Sequence, residues 1–151
     1  MEFKPFDNSF IREHKKGGSQ TKMTGTKKDL INYRIARAKD TYDDALILAE
    51  REKWNSSINR LYYAAYYAVM ALLLHSELNP TTHTGTKSNF SEYFIKTGKI
   101  DKEYGKVYSQ LFTWRQKGDY DDLFDFEKDK VVPYFEPVNQ LISTIADIIQ
   151  K

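Results

Sequence analysis

Apolar residues recur at intervals of three and four positions along most of this chain, which is the spacing of amphipathic helices. The first stripe predicts a helix from about Lys27 to Lys53; its apolar positions are Ile31, Ile35, Ala38, Tyr42, Ala45 and Ala49. Thr26 with Asp29 three residues later predicts a capping box at its start. No segment shows the apolar–polar alternation of a β-strand.

The second predicted helix starts near Trp54–Ser57 and ends near Leu78, ahead of Pro80. From Leu61 to Leu74 it has no charge, and a helix that is apolar on every side must be wrapped by others. This run is too short for the roughly 20 residues of a bilayer span, so no membrane segment is predicted. Its tyrosines and alanines are interpreted as packing in a core; the tyrosines are Tyr62, Tyr63, Tyr66 and Tyr67.

The remaining pattern predicts a loop over Thr81–Gly85 and then three more helices. A third helix covers about Lys87 to Lys96 and is closed by Gly98. Asp101 is expected to cap a fourth helix that ends at Gly118. Its predicted core face is Tyr104, Val107, Leu111 and Trp114.

A last helix is predicted from about Lys130 to Gln150, tolerating Pro133 in its first turn and kinked by Pro137. Short connections between helices favour antiparallel neighbours. The predicted fold is therefore all-α, an up-and-down four- to five-helix bundle with a kinked C-terminal helix. Residues 1–25 are expected to form a flexible leader ahead of a single domain over residues 26–151.

Composition narrows the possible chemistry. The chain has 151 residues and no cysteine, which excludes disulfides, thiol catalysis and Cys-ligated zinc. No signal peptide is visible, so a cytoplasmic location is the default expectation. Residues 1–28 carry seven Lys/Arg against three Asp/Glu, and the rest carries sixteen against eighteen. The body is thus mildly acidic and offers no basic face for duplex binding. No metal site or cofactor is predicted, because the acids between Asp119 and Asp129 lack a ligand spacing such as that of an EF-hand.

Four short motifs resemble one family when taken in order. They are Asn59-Arg60-x-Tyr62-Tyr63-Ala64, Thr82-His83-x-Gly85, Phe94-Ile95-Lys96-Thr97-Gly98 and Arg115-x-x-x-Asp119-Tyr120. Together they resemble the HEPN domain (higher eukaryotes and prokaryotes nucleotide-binding) over about residues 27 to 150.

The resemblance implies a helical bundle that forms a homodimer and works with an MNT-type nucleotidyltransferase from a neighbouring gene. Many such proteins are toxins that act as metal-independent ribonucleases through an Arg, four intervening residues and a His. In several of them, a Tyr two positions past that His accepts AMP from the nucleotidyltransferase. These features are expectations for this chain.

The present sequence departs from that motif, because Tyr120 occupies the position of the His and Asp122 that of the second Tyr. A phenol has an ordinary pKa near 10, and neighbouring acids such as Asp119 disfavour its ionisation. Tyr120 is therefore a poor general base, which argues against ribonuclease activity of the usual kind. It could instead donate a hydrogen bond or accept AMP.

Helix directions suggest a different base. If the first four helices alternate, His83 and Arg115 lie at one end of the bundle, with His83 as base and Arg115 as phosphate anchor. The same geometry places Asn59 and Arg60 at the opposite end of the bundle. With a helical rise of 1.5 Å per residue, they are expected to lie roughly 25 Å from His83 and Arg115. Each of these residues also has a purely structural interpretation. Arg60 could pair with an acidic side chain, and Asn59 could form hydrogen bonds that organise contacts between helices. His83 could form a hydrogen bond within its loop, and Arg115 could interact favourably with the dipole at the end of its helix.

The sequence leaves three functions open. The first is a toxin-like or nucleotide- and RNA-binding partner of a nucleotidyltransferase, with Arg115, Asn59 and Arg60 as phosphate-binding residues. Its catalytic candidates are Arg115, His83 and Tyr120. The second is a non-enzymatic dimeric module that binds a nucleotide or a partner. The third is a structural adaptor whose tyrosine-rich surfaces only hold a partner and that binds no nucleotide.

Overall fold

A computed structural model describes residues 25–120 and 125–151, without the side chains of residues 118–120. The predicted leader lies outside the described residues except for Gly25. The α-helices are α1 (Lys27–Glu50), α2 (Trp54–His75), α3 (His83–Phe90), α4 (Lys102–Tyr120), α5 (Lys128–Val131) and α6 (Phe135–Gln150). A π-helical segment, Ser91–Ile95, continues α3, and a 3₁₀ turn, Val132–Tyr134, joins α5 to α6. Within these residues the chain has no strand, which confirms the all-α prediction.

The first helix begins as its capping box predicts. The Asp29 amide donates to Thr26 Oγ1 over 3.1 Å, and the Thr26 amide donates back to Asp29 Oδ2 over 3.3 Å. The helix ends at Glu50, and Glu52 has a left-handed φ of 59° in the short connection to α2. Lys27 at the start of α1 pairs with Glu77 just beyond the end of α2, as antiparallel neighbours allow.

The second helix is the centre of the bundle. It contacts α1 along its length and also packs against α4 and α6. Its alanines are fully buried and let the neighbouring backbones approach; they are Ala64, Ala65, Ala68 and Ala71. The prediction of a helix wrapped on every side is confirmed.

The third helix begins at His83, within the stretch predicted as a loop. Thr82 causes this early start, because its Oγ1 accepts a hydrogen bond from the Gly85 amide over 2.9 Å and so caps the first turn. In the π-helical segment, the Lys96 amide donates to the Ser91 carbonyl over 2.9 Å. Gly98 follows with a φ of 77°, the left-handed conformation predicted for a residue that closes a helix.

The fourth helix is capped as predicted, since Asp101 Oδ1 accepts from the Glu103 amide over 2.9 Å. It does not stop at Gly118 but continues to Tyr120. A glycine inside a helix costs about 1 kcal/mol and does not by itself end it. The most buried residues of α4 are Tyr108, Leu111 and Phe112, whereas the predicted Tyr104, Val107 and Trp114 are half-buried.

The C-terminal helix is interrupted in the turn before Pro137, as predicted from that proline. Pro137 has no amide hydrogen and its ring crowds the carbonyl four residues earlier, which accounts for the 3₁₀ turn at Val132–Tyr134. Trp114 of α4 packs against Tyr134 with ring centroids 5.0 Å apart, and this contact holds the bent element to the bundle. None of the helices in the described ranges is long and apolar enough to cross a bilayer.

Candidate functional site

Tyr62 links two of the residues that the sequence singles out. Its side chain is fully buried in α2. The hydroxyl forms a 2.8 Å hydrogen bond with His83 Nδ1 at the start of α3. The guanidinium of Arg115, on α4, lies over the Tyr62 ring with its carbon 5.6 Å from the ring centroid. His83 and Arg115 therefore meet at one side chain, and both remain half-buried. We call Tyr62, His83 and Arg115 the Tyr62 site.

Aromatic rings from α2 hold the imidazole on two further sides. Tyr66 stacks on His83 with centroids 4.4 Å apart and an angle of 24° between the planes. Tyr63 presents its edge at 5.8 Å. The cap at Thr82 fixes the backbone of His83, so both the ring and its attachment are ordered.

The path of the chain after α2 explains this arrangement. Tyr62 lies about 20 Å before the end of α2 at 1.5 Å per residue, so the segment after His75 must return along the helix to bring His83 to Tyr62. The prediction that His83 lies at one end of the bundle, together with the end of α2, is wrong for that reason.

Arg60 is consequently much closer to His83 than predicted. Its guanidinium carbon lies 4.8 Å from the centroid of the Tyr63 ring, and that same ring contacts His83. The predicted separation of roughly 25 Å between the two groups is wrong. Asn59 Oδ1 accepts a hydrogen bond from Arg60 Nη2 over 3.1 Å, so Asn59 orients this arginine.

Burial controls the ionisation of these groups. It raises the pKa of Tyr62, Tyr66 and Tyr108, and for Tyr108 the neighbouring Tyr62 raises it further. All three phenols therefore stay protonated at neutral pH. Burial lowers the pKa of Arg60 to about 10, which still leaves it charged at neutral pH. The site thus combines cations with neutral hydroxyls.

The hydrogen bond between Tyr62 and His83 permits two tautomers of a neutral imidazole. If the phenol donates to Nδ1, the ring proton is on Nε2, and His83 offers a donor suited to a phosphate oxygen. If Nδ1 donates to the phenol oxygen, Nε2 has a lone pair suited to a general base. The protonated phenol allows either arrangement.

The backbone of Asp119 and Tyr120 belongs to the last turn of α4, and their side chains lie outside the described residues, as does Asp122. Among the described residues, no group of three or more His, Asp or Glu side chains is placed to hold a metal ion.

The pattern of the second helix predicts core packing for Tyr62, whereas this residue is both part of the core and the link between His83 and Arg115. One signal was available, because Tyr62 stands within the Asn59-Arg60-x-Tyr62-Tyr63-Ala64 motif. Tyr108, whose ring lies 5.8 Å from that of Tyr62, had no such signal.

Comparison with known proteins agrees with the helical architecture. The model of the HEPN domain family matches residues 31–149. A protein of Thermotoga maritima named "UPF0332 protein" is 38% identical over 124 residues, which cover 82% of this chain and 94% of that protein.

Two similar proteins of Methanocaldococcus jannaschii are each named "Putative toxin". One is 32% identical over 96 residues, covering 64% of this chain and 65% of the relative. The other is 35% identical over 86 residues, covering 57% of this chain and 64% of the relative. The similarity therefore spans slightly less than two thirds of each of these two relatives.

Proposed function

The chain belongs to the HEPN domain family, and from this premise we propose that it is the toxin-like, RNA- or nucleotide-binding component of a two-gene system. The single observation that supports this most directly is the meeting of His83 and Arg115 at Tyr62. The names of the two archaeal relatives support the toxin-like part of the proposal.

The chemistry of the Tyr62 site suits a phosphate group next to a base. A guanidinium presents several donors to phosphate oxygens, and a protonated or Nε2–H imidazole adds another. Tyr63 and Tyr66 are half-buried aromatic residues beside the imidazole, and unpaired bases stack on rings of this type where a face is accessible. Arg60, behind Tyr63, adds positive potential without being exposed.

We expect Arg115→Ala to weaken the binding of AMP and of a short single-stranded RNA by about 10- to 100-fold, because hydrogen bonds to a charged group contribute about 1.5–3 kcal/mol. His83→Ala is expected to weaken binding by a smaller factor. Isothermal titration calorimetry at low salt measures both.

The matched control is Arg51→Ala, which removes an exposed arginine after the end of α1. This variant should bind as the unmodified protein does, and circular dichroism should show all three variants folded. Unchanged binding by folded Arg115→Ala would refute the proposed role of the Tyr62 site, and an unmodified protein that binds neither AMP nor RNA would favour the structural adaptor.

A second function, metal-independent RNA cleavage with His83 as the base, is favoured by the hydrogen bond that orients its ring. We expect cleavage in the presence of EDTA only if Nε2 carries the lone pair, and ¹⁵N chemical shifts of the two ring nitrogens measure this. Cleavage abolished by both His83→Ala and Arg115→Ala would establish the enzyme. Binding without cleavage, together with a protonated Nε2, would establish the non-enzymatic module.

The proposed system also includes a homodimer and an MNT-type nucleotidyltransferase, both on the basis of the family. Tyr120 is the proposed acceptor of AMP from that enzyme. Mass spectrometry after incubation with ATP and the product of the adjacent gene tests the transfer. A mass increase that disappears in Tyr120→Phe supports it, whereas an unmodified chain or label at another residue refutes it.

A further inference from the structure

A cavity of about 340 Å³ lies between α4 and the stretch formed by α3 and the π-helical segment. Its walls combine basic and hydroxyl side chains with the aromatic rings of Phe90 and Tyr108. The polar side chains are Lys87, Ser91, Lys102, Lys106 and Ser109. We call it the lysine cavity.

Two backbone features form its walls. Ser91 and Ile95 belong to the π-helical segment, and such segments are frequent at functional sites. Gly105 of α4 faces Ile95 so closely that a Cβ atom would lie 3.1 Å from the isoleucine side chain. A side chain at position 105 would therefore require the Ile95 side chain to move by a few tenths of an ångström.

The lysine cavity adjoins the Tyr62 site. Lys87 follows His83 by one helical turn, so the two side chains lie on the same side of α3. Lys87 Nζ lies 5.3 Å from the centroid of the Phe112 ring, which in turn lies 6.5 Å from that of Tyr62. Tyr108 lies between the lysine cavity and the Tyr62 site, because it lines the cavity and its ring contacts that of Tyr62.

The charge of the cavity suits an anion. Lys106 lies 3.4 Å from Glu103, but both are exposed, and exposed pairs of this kind contribute little. A phosphate could displace this pairing and use the hydroxyls of Ser91 and Ser109 as further donors. Lysine is a common phosphate ligand because its ammonium acts as a compact point charge.

We propose that the lysine cavity binds a second phosphate of a single-stranded RNA whose neighbouring phosphate lies at His83 and Arg115. This inference rests on the proposed function and specifies its ligand. A nucleoside monophosphate can occupy only one of the two places, whereas a phosphodiester chain can occupy both. The ligand is therefore a polynucleotide.

The test compares an oligouridylate of about 12 nucleotides with AMP. Replacing Lys87, Lys102 and Lys106 by glutamine is expected to weaken RNA binding about 10- to 100-fold at low salt. It should also reduce the slope of log K against log salt by about 0.7, since that is the contribution of the one phosphate contact that is lost in a single strand. AMP binding should change less than about threefold. Fluorescence anisotropy of labelled RNA over a salt series measures the slope.

The control replaces three exposed lysines elsewhere, Lys28, Lys39 and Lys128, by glutamine and makes the same change in net charge. Equal losses in both triple variants would overturn the inference, because only diffuse charge would then matter. An equal loss of AMP and RNA binding would overturn it too. Thermal melting shows that each variant is folded.

Further arms separate this inference from the proposed function. If Arg115→Ala weakens AMP and RNA binding but the lysine variant does not, the proposed function stands and the second phosphate place is refuted. If the lysine variant weakens RNA binding and Arg115→Ala does not, the Tyr62 site is refuted as the binding site of the neighbouring phosphate. Single-stranded DNA of matching length tests the sugar. Weaker binding of DNA than of RNA would support RNA as the ligand. Equal binding would mean that the protein recognises only the phosphate backbone, and it would contradict RNA as the specific ligand.

Discussion

Replacing Leu72 with alanine is expected to lower the free energy of unfolding by about 2–5 kcal/mol, the range for truncating a buried leucine. Leu72 is fully buried on α2, which packs against α1, α4 and α6, so the neighbours cannot close the resulting cavity without losing contacts of their own. Urea unfolding followed by circular dichroism measures the change.

Leu46→Ala provides the matched comparison. Leu46 lies on α1 with 40% of its surface exposed, so the same truncation should cost well under 1 kcal/mol. A loss at Leu72 as small as that at Leu46 would contradict the central position of α2. If the dimer proposed from the family exists, both measurements should be made at one fixed protein concentration.

Raising the pH above about 10 is expected to destabilise the protein steeply. Burial raises the pKa values of Tyr62 and Tyr108 above the ordinary value of 10. Below pH 10 both phenols are protonated in the folded and unfolded chains, and their contribution is fully present. Above pH 10 the unfolded chain loses these protons while the folded chain keeps them, so stability falls as pH rises. Each such tyrosine contributes up to about 1.4 kcal/mol per pH unit.

The ionisation of Arg60 has the opposite effect on stability above pH 10. Burial lowers its pKa to about 10, below its ordinary value of 12.5. The folded chain therefore releases this proton first as pH rises, which offsets part of the tyrosine effect. The net expectation between pH 10 and 11 is a loss of about 1–2 kcal/mol.

Tyr108→Phe isolates the tyrosine contribution because it removes a phenol that is 1% exposed and keeps the ring. We expect urea unfolding at pH 8, 10 and 11 to show a shallower loss of stability in this variant. Tyr93→Phe, at a side chain that is 46% exposed, should follow the unmodified protein. Identical pH profiles for Tyr108→Phe and the unmodified protein would contradict the assignment.

Local signals in the sequence were enough to predict most of the fold. The capping box at Thr26, the charge-free run in α2, the cap at Asp101 and the effect of Pro137 each depend on residues within one or two helical turns. The start of α3 differs from the prediction although its signal is also local, because Thr82 caps the helix and is not part of a longer loop. Gly118 does not end α4, because a single glycine weakens a helix without terminating it.

The site was less predictable because it depends on the path of the chain in three dimensions. Residues that look like the end of one helix and the start of the next were expected to stay at one end of the bundle. Instead, the return along α2 places His83 against Tyr62 and brings Arg60 near it through Tyr63. No periodicity in the sequence specifies that return, since it depends on how aromatic rings from different helices pack together.

Tyr62 belongs both to the core and to the Tyr62 site, and this affects which mutations a genetic selection would recover. A selection for clones that have lost activity would recover many changes along α2 that simply abolish folding and leave little soluble protein. Alleles that keep normal protein levels should concentrate instead at the half-buried positions His83 and Arg115. Comparing the abundance of each recovered allele with its phenotype would therefore separate the two kinds of position without any structural measurement.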